Sequence, residues 1–175
     1  MNNRFEIKED KVSIFLDRRD GSVIETIISI EHLRKVQEFP CKWVAQWNRY
    51  TKSFYVQGNN PMDGRGHTTV RLHRFLMDCP DDLTVDHINR DTLDNTITNL
   101  RNVTRAMNSQ NITKRVDNKS GFLGVCWNKS SKKWYVQVTV NKKRKYIGRF
   151  DDIDQAAEVA RQSRIEFCPG YVNQG

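Results

Sequence analysis

The stretch from Leu83 to Asn111 reads LTVDHINRDTLDNTITNLRNVTRAMNSQN, and the fold turns on it. Leu83-Thr84-Val85 is a short β-like run that delivers Asp86 and His87 side by side at its end. A polar loop rich in Asn, Asp and Thr follows, and Leu100-Arg101-Asn102-Val103 reads as a second strand. Thr104 stands where a helix N-cap belongs, its hydroxyl able to accept from a backbone N–H two or three residues on, and Asn108 falls in the first turns behind it. Strand, loop, strand and helix thus gather an acid, an imidazole and several amides in one small space.

A hard divalent cation such as magnesium prefers oxygen ligands and keeps several waters, so one carboxylate and one amide suffice beside a substrate phosphate. Histidine titrates near neutrality and takes a proton from water. Because Asp86 and His87 are neighbours on extended backbone, their side chains diverge. One can hold metal while the other faces an attacking water, which outlines a hydrolytic phosphodiester site. Taken singly, these residues have plainer readings: an Asp-His pair is ordinarily an exposed turn, Asn99 a loop closure, Asn108 a solvated helix residue. Only the joint spacing points to chemistry.

Asp86-His87, then Asn99-Leu100-Arg101, then Asn108 resembles the HNH endonuclease family in its variant with Asn at the last position. Leu72-His73-Arg74 upstream and Asp94-Asn95 in the loop are similar to phage and intron-encoded homing endonucleases of that group. The resemblance implies a ββα-metal core, His87 as general base, Asp86 and Asn108 as metal ligands, and Asn99 as a brace of the loop and the histidine. His73 either contacts a scissile phosphate or fills a hydrogen-bonded niche. Asn in place of a terminal His favours magnesium or manganese over zinc.

The 175 residues suit one domain or two small ones. A formal charge of +8 favours a polyanionic partner. Cys41, Cys79, Cys126 and Cys168 form no Cys-x-x-Cys pair, so no zinc ribbon is expected. Free thiols and the lack of a signal-peptide pattern point to the cytoplasm of a bacterial or phage-infected cell, and no apolar run is long enough for a membrane helix.

Residues 1–70 read as a β-rich scaffold. Val12–Leu16 and Val23–Ile28 flank Asp17–Gly21 as a hairpin, Ile30–Phe39 carries a short helical stripe closed by Pro40, and Trp43–Trp47 with Phe54–Gln57 alternate as strands. Asn59–Gly66 reads as a loop, and His67–Leu72 as a strand entering the core. Arg18, Arg19, Arg49, Lys52 and Arg65 read as solvated surface. Residues 71–115 make the nuclease core, with Ile112–Ser120 as helix end and linker.

Residues 116–175 hold eleven basic against six acidic side chains, with no acid between Asp117 and Asp151. Phe122–Trp127, Trp134–Val140 and Arg144–Phe150 read as three antiparallel strands, and a helix opening at Asp154 packs Ala156, Ala157, Ala160 and Ile165 on them. The other face is left open and basic, fit for a major groove that admits a β-ribbon. Gly124-Val125-x-Trp127, Lys133-Trp134, Tyr146–Phe150 and Ala156-Ala157 resemble the plant ethylene-response-factor (APETALA-type) DNA-binding domain. That resemblance implies DNA contact by Cys126, Asn128, Gln137, Thr139, Arg144 and Tyr146, with Lys143 and Lys145 beside them.

The expectation is therefore an α+β protein: β-rich N-terminal region, ββα-metal nuclease core, then a three-stranded sheet on one helix. Its expected activity is metal-dependent hydrolysis of double-stranded DNA, as a site-specific homing endonuclease with one Mg2+ or Mn2+, acting as a monomer or a dimer. The alternatives are a sequence-specific DNA-binding regulator with an inert nuclease motif, and a restriction or toxin-type nuclease of low specificity.

Overall fold

The computed structural model describes residues 2–62, 66–114 and 117–173; Arg65 and the linker residues Arg115 and Val116 lie outside them. The chain is mixed α+β and rich in strands, and it forms two compact units, residues 1–103 and 104–175.

The first unit opens with β1 (Arg4–Lys8), β2 (Lys11–Asp17) and β3 (Val23–Ser29), paired antiparallel in that order. Between β2 and β3 the chain turns through Gly21 at φ 81°, a conformation that glycine adopts without a Cβ penalty. A single 3-10 turn leads into α1 (Leu33–Gln37). Next come β4 (Val44–Asn48), β5 (Ser53–Met62) and β6 (Gly66–Arg71), a meander that runs on into α2 (Leu72–Leu76). The hairpin of the site is β7 (Thr84–His87) paired antiparallel with β9 (Leu100–Val103). Between them the two-residue β8 (Asp94–Asn95) joins the edge of the first sheet, parallel to β3.

The strand-forming alternation of β2 sends Val12, Ile14 and Leu16 inward, where they meet Ile28, Val36, Trp43, Val56, Leu72, Val85 and Leu100 in one core. That core extends from the N-terminal sheet to the site hairpin, so scaffold and hairpin are buried together. Trp43 stacks on Phe39 with ring centroids 4.2 Å apart, and the Asn3 side chain clamps its backbone: Nδ2 donates to Trp43 O at 2.9 Å and Oδ1 accepts from Trp43 N at 2.8 Å. The stretch from Asn59, expected as loop, is strand as far as Met62. Asn59, Asn60 and Pro61 pair with Thr69, Thr68 and His67, the ladder overriding their weak strand propensity.

The second unit begins with α3 (Arg105–Asn108), capped by Thr104, whose hydroxyl accepts from Met107 N at 3.2 Å. This helix is one turn long and ends at Asn108 rather than near Ile112, in a run of Asn and Ser that form turns more readily than helix. Then β10 (Val125–Asn128), β11 (Lys133–Val140) and β12 (Lys143–Phe150) form an antiparallel sheet in that order. β10 starts at Val125 and not Phe122 because Gly124 sits at φ 74°, where a Cβ would also strike Gln137 O and Arg164. Asn141 and Lys142, both at positive φ, make the β11–β12 turn.

α4 (Ile153–Phe167) is capped by Asp152, not Asp154: the Asp152 carboxylate accepts from Gln155 N at 2.7 Å. Ala156 and Ala160 are fully buried and pack with Val125 and Val136. Ile165, expected on the sheet, is 51% exposed, because it is turned off the face that Ala156, Ala160 and Ser163 define. Among the described residues, no helix is long and apolar enough to cross a membrane.

Candidate active site

Successive residues of a strand point to opposite sides, and β7 ends by placing a buried acid on one side and a buried imidazole on the other. Asp86 and His87 are each only 6% exposed. Asp86 pairs across the hairpin with Arg101, and His87 with Leu100. Directly opposed residues share a face. Arg101 consequently reaches Asp86, its Nε and Nη2 both donating to Oδ2, at 3.0 and 2.7 Å. The approach is charge-assisted, and its acceptor is a carboxylate withdrawn from water.

On the other side His87 meets Asn95 of β8, His73 of α2 and Tyr55 of β5. Its Nε2 lies 3.2 Å from Asn95 Oδ1. The His87 and His73 rings are 5.2 Å apart and nearly perpendicular, while Tyr55 lies edgewise to both, at 5.8 Å from His73 and 6.4 Å from His87. Burial holds the His87 pKa below its ordinary value, against the Asn95 hydrogen bond and the charges of Asp86, Asp91 and Asp94, which pull it up. The imidazole is therefore neutral at neutral pH and fit to accept a proton. His73, buried to 9% exposure, is pushed down to about 3 by desolvation, then by repulsion from His87 when that ring is protonated and from the guanidinium groups of Arg71 and Arg74. It meets any ligand as an uncharged ring.

The loop between β7 and β9 is sewn by amides. Asn99 Oδ1 accepts from Asn89 N at 2.8 Å, its Nδ2 donates to Asp94 O at 2.7 Å, and its backbone carbonyl accepts from Ile88 N at 2.8 Å. Asn89 Nδ2 donates to the Asp94 carboxylate, and Thr96 donates to it through both its hydroxyl and its backbone N–H. Asn99 touches the loop on both sides and not the imidazole directly, so its effect on His87 passes through the backbone it fixes. Asn108 belongs to the second unit, where it is half-buried at the end of α3 and its N–H donates to Thr104 O at 2.9 Å.

No three His, Cys, Asp or Glu residues gather as a metal cluster among the described residues. The Asp86 carboxylate offers hard oxygens. A carboxylate of this kind suits a small hard cation that fills its remaining positions with water and substrate oxygens.

In the second unit the β-register sorts the basic residues. Asn128, Gln137, Thr139, Arg144 and Tyr146 share the sheet face away from α4, with Gln137 opposite Tyr146 and Thr139 opposite Arg144. Cys126 is there too, opposite Tyr135, whose ring lies 5.6 Å from that of Tyr146. Lys143 and Lys145 stand on the other face, opposite Val140 and Val138, and the Lys145 ammonium lies 3.4 Å from the Phe167 ring centroid of α4.

Three residues of the cluster carry no role in the sequence reading: Arg101, Asn95 and Tyr55. Arg101 was accessible in principle, since an antiparallel register that pairs His87 with Leu100 must pair Asp86 with Arg101. Tyr55 comes from a distant segment with no local signature, and nothing in the Asp94-Asn95 pair itself says that Asn95 meets His87.

Residues 78–110 match a protein-family model described as HNH endonuclease. Neither a search of curated proteins nor a search of solved structures found a match. That match supports a nuclease acting on DNA.

Proposed function

We propose, from the HNH endonuclease domain at residues 78–110, that this chain is a metal-dependent, site-specific DNA endonuclease of the homing type that cuts or nicks duplex DNA. The observation that carries the reading is His87: buried, neutral, oriented by Asn95 through Nε2, and set back to back with Asp86. His87 takes the proton of a water, whose oxygen attacks phosphorus while the bond to the 3′ oxygen breaks and that oxygen takes a proton from solvent water, leaving a 5′-phosphate and a 3′-hydroxyl. Asp86 and Asn108 would hold Mg2+ or Mn2+, which supplies stabilisation of the charge that develops on the phosphate. Asn99 keeps the loop closed around the imidazole, and His73 lines the site as a neutral ring. The open face of the β10–β12 sheet takes the duplex, with Asn128, Gln137, Thr139, Arg144 and Tyr146 toward it, while Lys143 and Lys145, on the α4 side, contribute only to the overall positive charge. The whole is a ββα-metal core followed by an APETALA-type DNA-binding domain.

The test is plasmid cleavage with magnesium against EDTA. His87→Ala should lose about 10²–10⁴-fold of the cleavage rate, the usual worth of a general base, while DNA affinity holds. Near wild-type cleavage by the variant would overturn the assignment. One observation favours a second reading, a DNA-binding regulator with an inert nuclease motif: the Asp86 carboxylate is already engaged by Arg101. Absence of nicks with either metal, alongside tight DNA binding, would select it.

A further inference from the structure

Arg71 closes β6 and precedes α2, and the β5–β6 register places it opposite Gln57. Diagonal to that pair on the same face is Tyr55, and the Arg71 guanidinium carbon lies 5.5 Å from the Tyr55 ring centroid. Tyr55 is the ring that lies edgewise to both His73 and His87. Arg71 therefore belongs to the same cluster as the imidazole, one ring removed.

Its bonding is what sets it apart. Nη1 of Arg71 is buried and has no hydrogen-bond partner among the described residues. The other arginines of the neighbourhood are committed. Arg74 donates to the carbonyls of Leu83, Cys79 and Pro80, and Arg101 is engaged on Asp86. A buried donor without an acceptor is costly, and a charged one more so; such groups persist where a ligand completes them. A guanidinium presents five N–H donors in a planar fork that matches phosphate oxygens.

We propose that Arg71, held on the face of Tyr55, is a DNA-phosphate-binding residue of the His87 site, its buried Nη1 completed by a backbone phosphate oxygen. The assignment rests on the endonuclease reading for its place in the reaction but not for the phosphate contact itself. The neutral His73 ring and Tyr55 form the uncharged wall against which this cation works.

The experiment uses the full chain and a fluorescently labelled mixed-sequence DNA duplex, titrated across salt in EDTA so that nothing is cleaved. Arg71→Gln should bind about tenfold more weakly, and its plot of log affinity against log salt should be shallower by about 0.9, the signature of one lost phosphate contact. With magnesium present, kcat/KM on plasmid should fall along with affinity. Arg71→Lys keeps the charge without the fork: its salt slope should match wild type while kcat/KM stays reduced. If Arg71→Gln does not fold, the Lys variant carries the test, and wild-type kcat/KM there overturns the proposal. A folded Arg71→Gln with unchanged salt slope and unchanged cleavage overturns it too, leaving Arg71 a packing partner of Tyr55. Should the wild-type chain cut no DNA while Arg71→Gln still flattens the slope, the endonuclease reading falls and the phosphate contact stands.

Discussion

His87 and Asn95 share a hydrogen bond whose direction is fixed by residues well behind them. The Leu93 carbonyl can only accept, so the Thr26 hydroxyl donates to it, at 2.7 Å. The Thr26 oxygen then accepts from Asn95 Nδ2, at 2.9 Å. Asn95 must therefore turn Oδ1 toward His87, and Nε2, 3.2 Å away, must carry the proton. Nδ1 is left as the basic nitrogen, which is the tautomer a proton acceptor on that side requires. The chain of bonds joins β3, β8 and β7, so the scaffold itself selects the protonation state.

Removing the selector should cost activity and not binding. Asn95→Ala is expected to lower kcat by about 10–100-fold, the range for partners that orient a functional histidine, with DNA affinity unchanged. Steady-state cleavage kinetics beside an anisotropy titration check this. A variant with wild-type kcat would show that the imidazole needs no such support.

Acid should loosen the protein well above the carboxylate range. His73 titrates at about 3 in the folded chain against an ordinary 6.5. A depressed folded pKa means that the unfolded state binds the extra proton first. The contribution to stability is complete above pH 6.5 and is lost as pH falls from 6.5 toward 3. Within that window each pH unit costs up to about 1.4 kcal/mol for this one group. Urea denaturation at a series of pH values should show the slope, and His73→Gln should flatten it; an unaltered slope would place the acid sensitivity elsewhere.

Arg101 neutralises Asp86 and would compete with any cation for its carboxylate. Breaking a buried pair by removing one partner commonly costs about 3–5 kcal/mol, and with the Arg101 side chain 26% exposed the lower end applies. Arg101→Met should accordingly melt at a lower temperature than wild type. Magnesium or manganese should restore more stability to the variant than it adds to wild type, because ligand binding to the folded state alone raises its stability. Thermal melts with metal and with EDTA separate the cases, and equal metal responses would remove Asp86 as a ligand.

On the C-terminal sheet, position relative to α4 should decide the effect of charge removal. Arg144→Gln, on the open face, should weaken duplex binding and flatten its salt dependence by about 0.9. Lys145→Gln should do less to the slope and more to stability, since that ammonium lies against Phe167. Salt titrations of the two variants compare them directly; a larger slope change for Lys145→Gln would point to the other face.

The strand–loop–strand order of Leu83–Val103, the Thr104 cap and the three-stranded C-terminal sheet were legible because each rests on local alternation, turn chemistry or capping within a few residues. Boundaries were less so: Asn59–Met62 became strand and α3 stopped at Asn108, since ladder pairing and helix length are settled by neighbours. The sequence by itself determined that an acid and an imidazole end one strand and must diverge from it. What each of them faces was decided only by the tertiary structure. Asn95 reaches Thr26 across 69 residues of chain, and Tyr55 joins His73 and His87 from another sheet, while Arg101 meets Asp86 through hairpin register. Periodicity reports which side of an element is buried. It carries no record of which distant side chain lies across the packed interface, and that partner sets the tautomer, the charge and the pKa on which the chemistry depends.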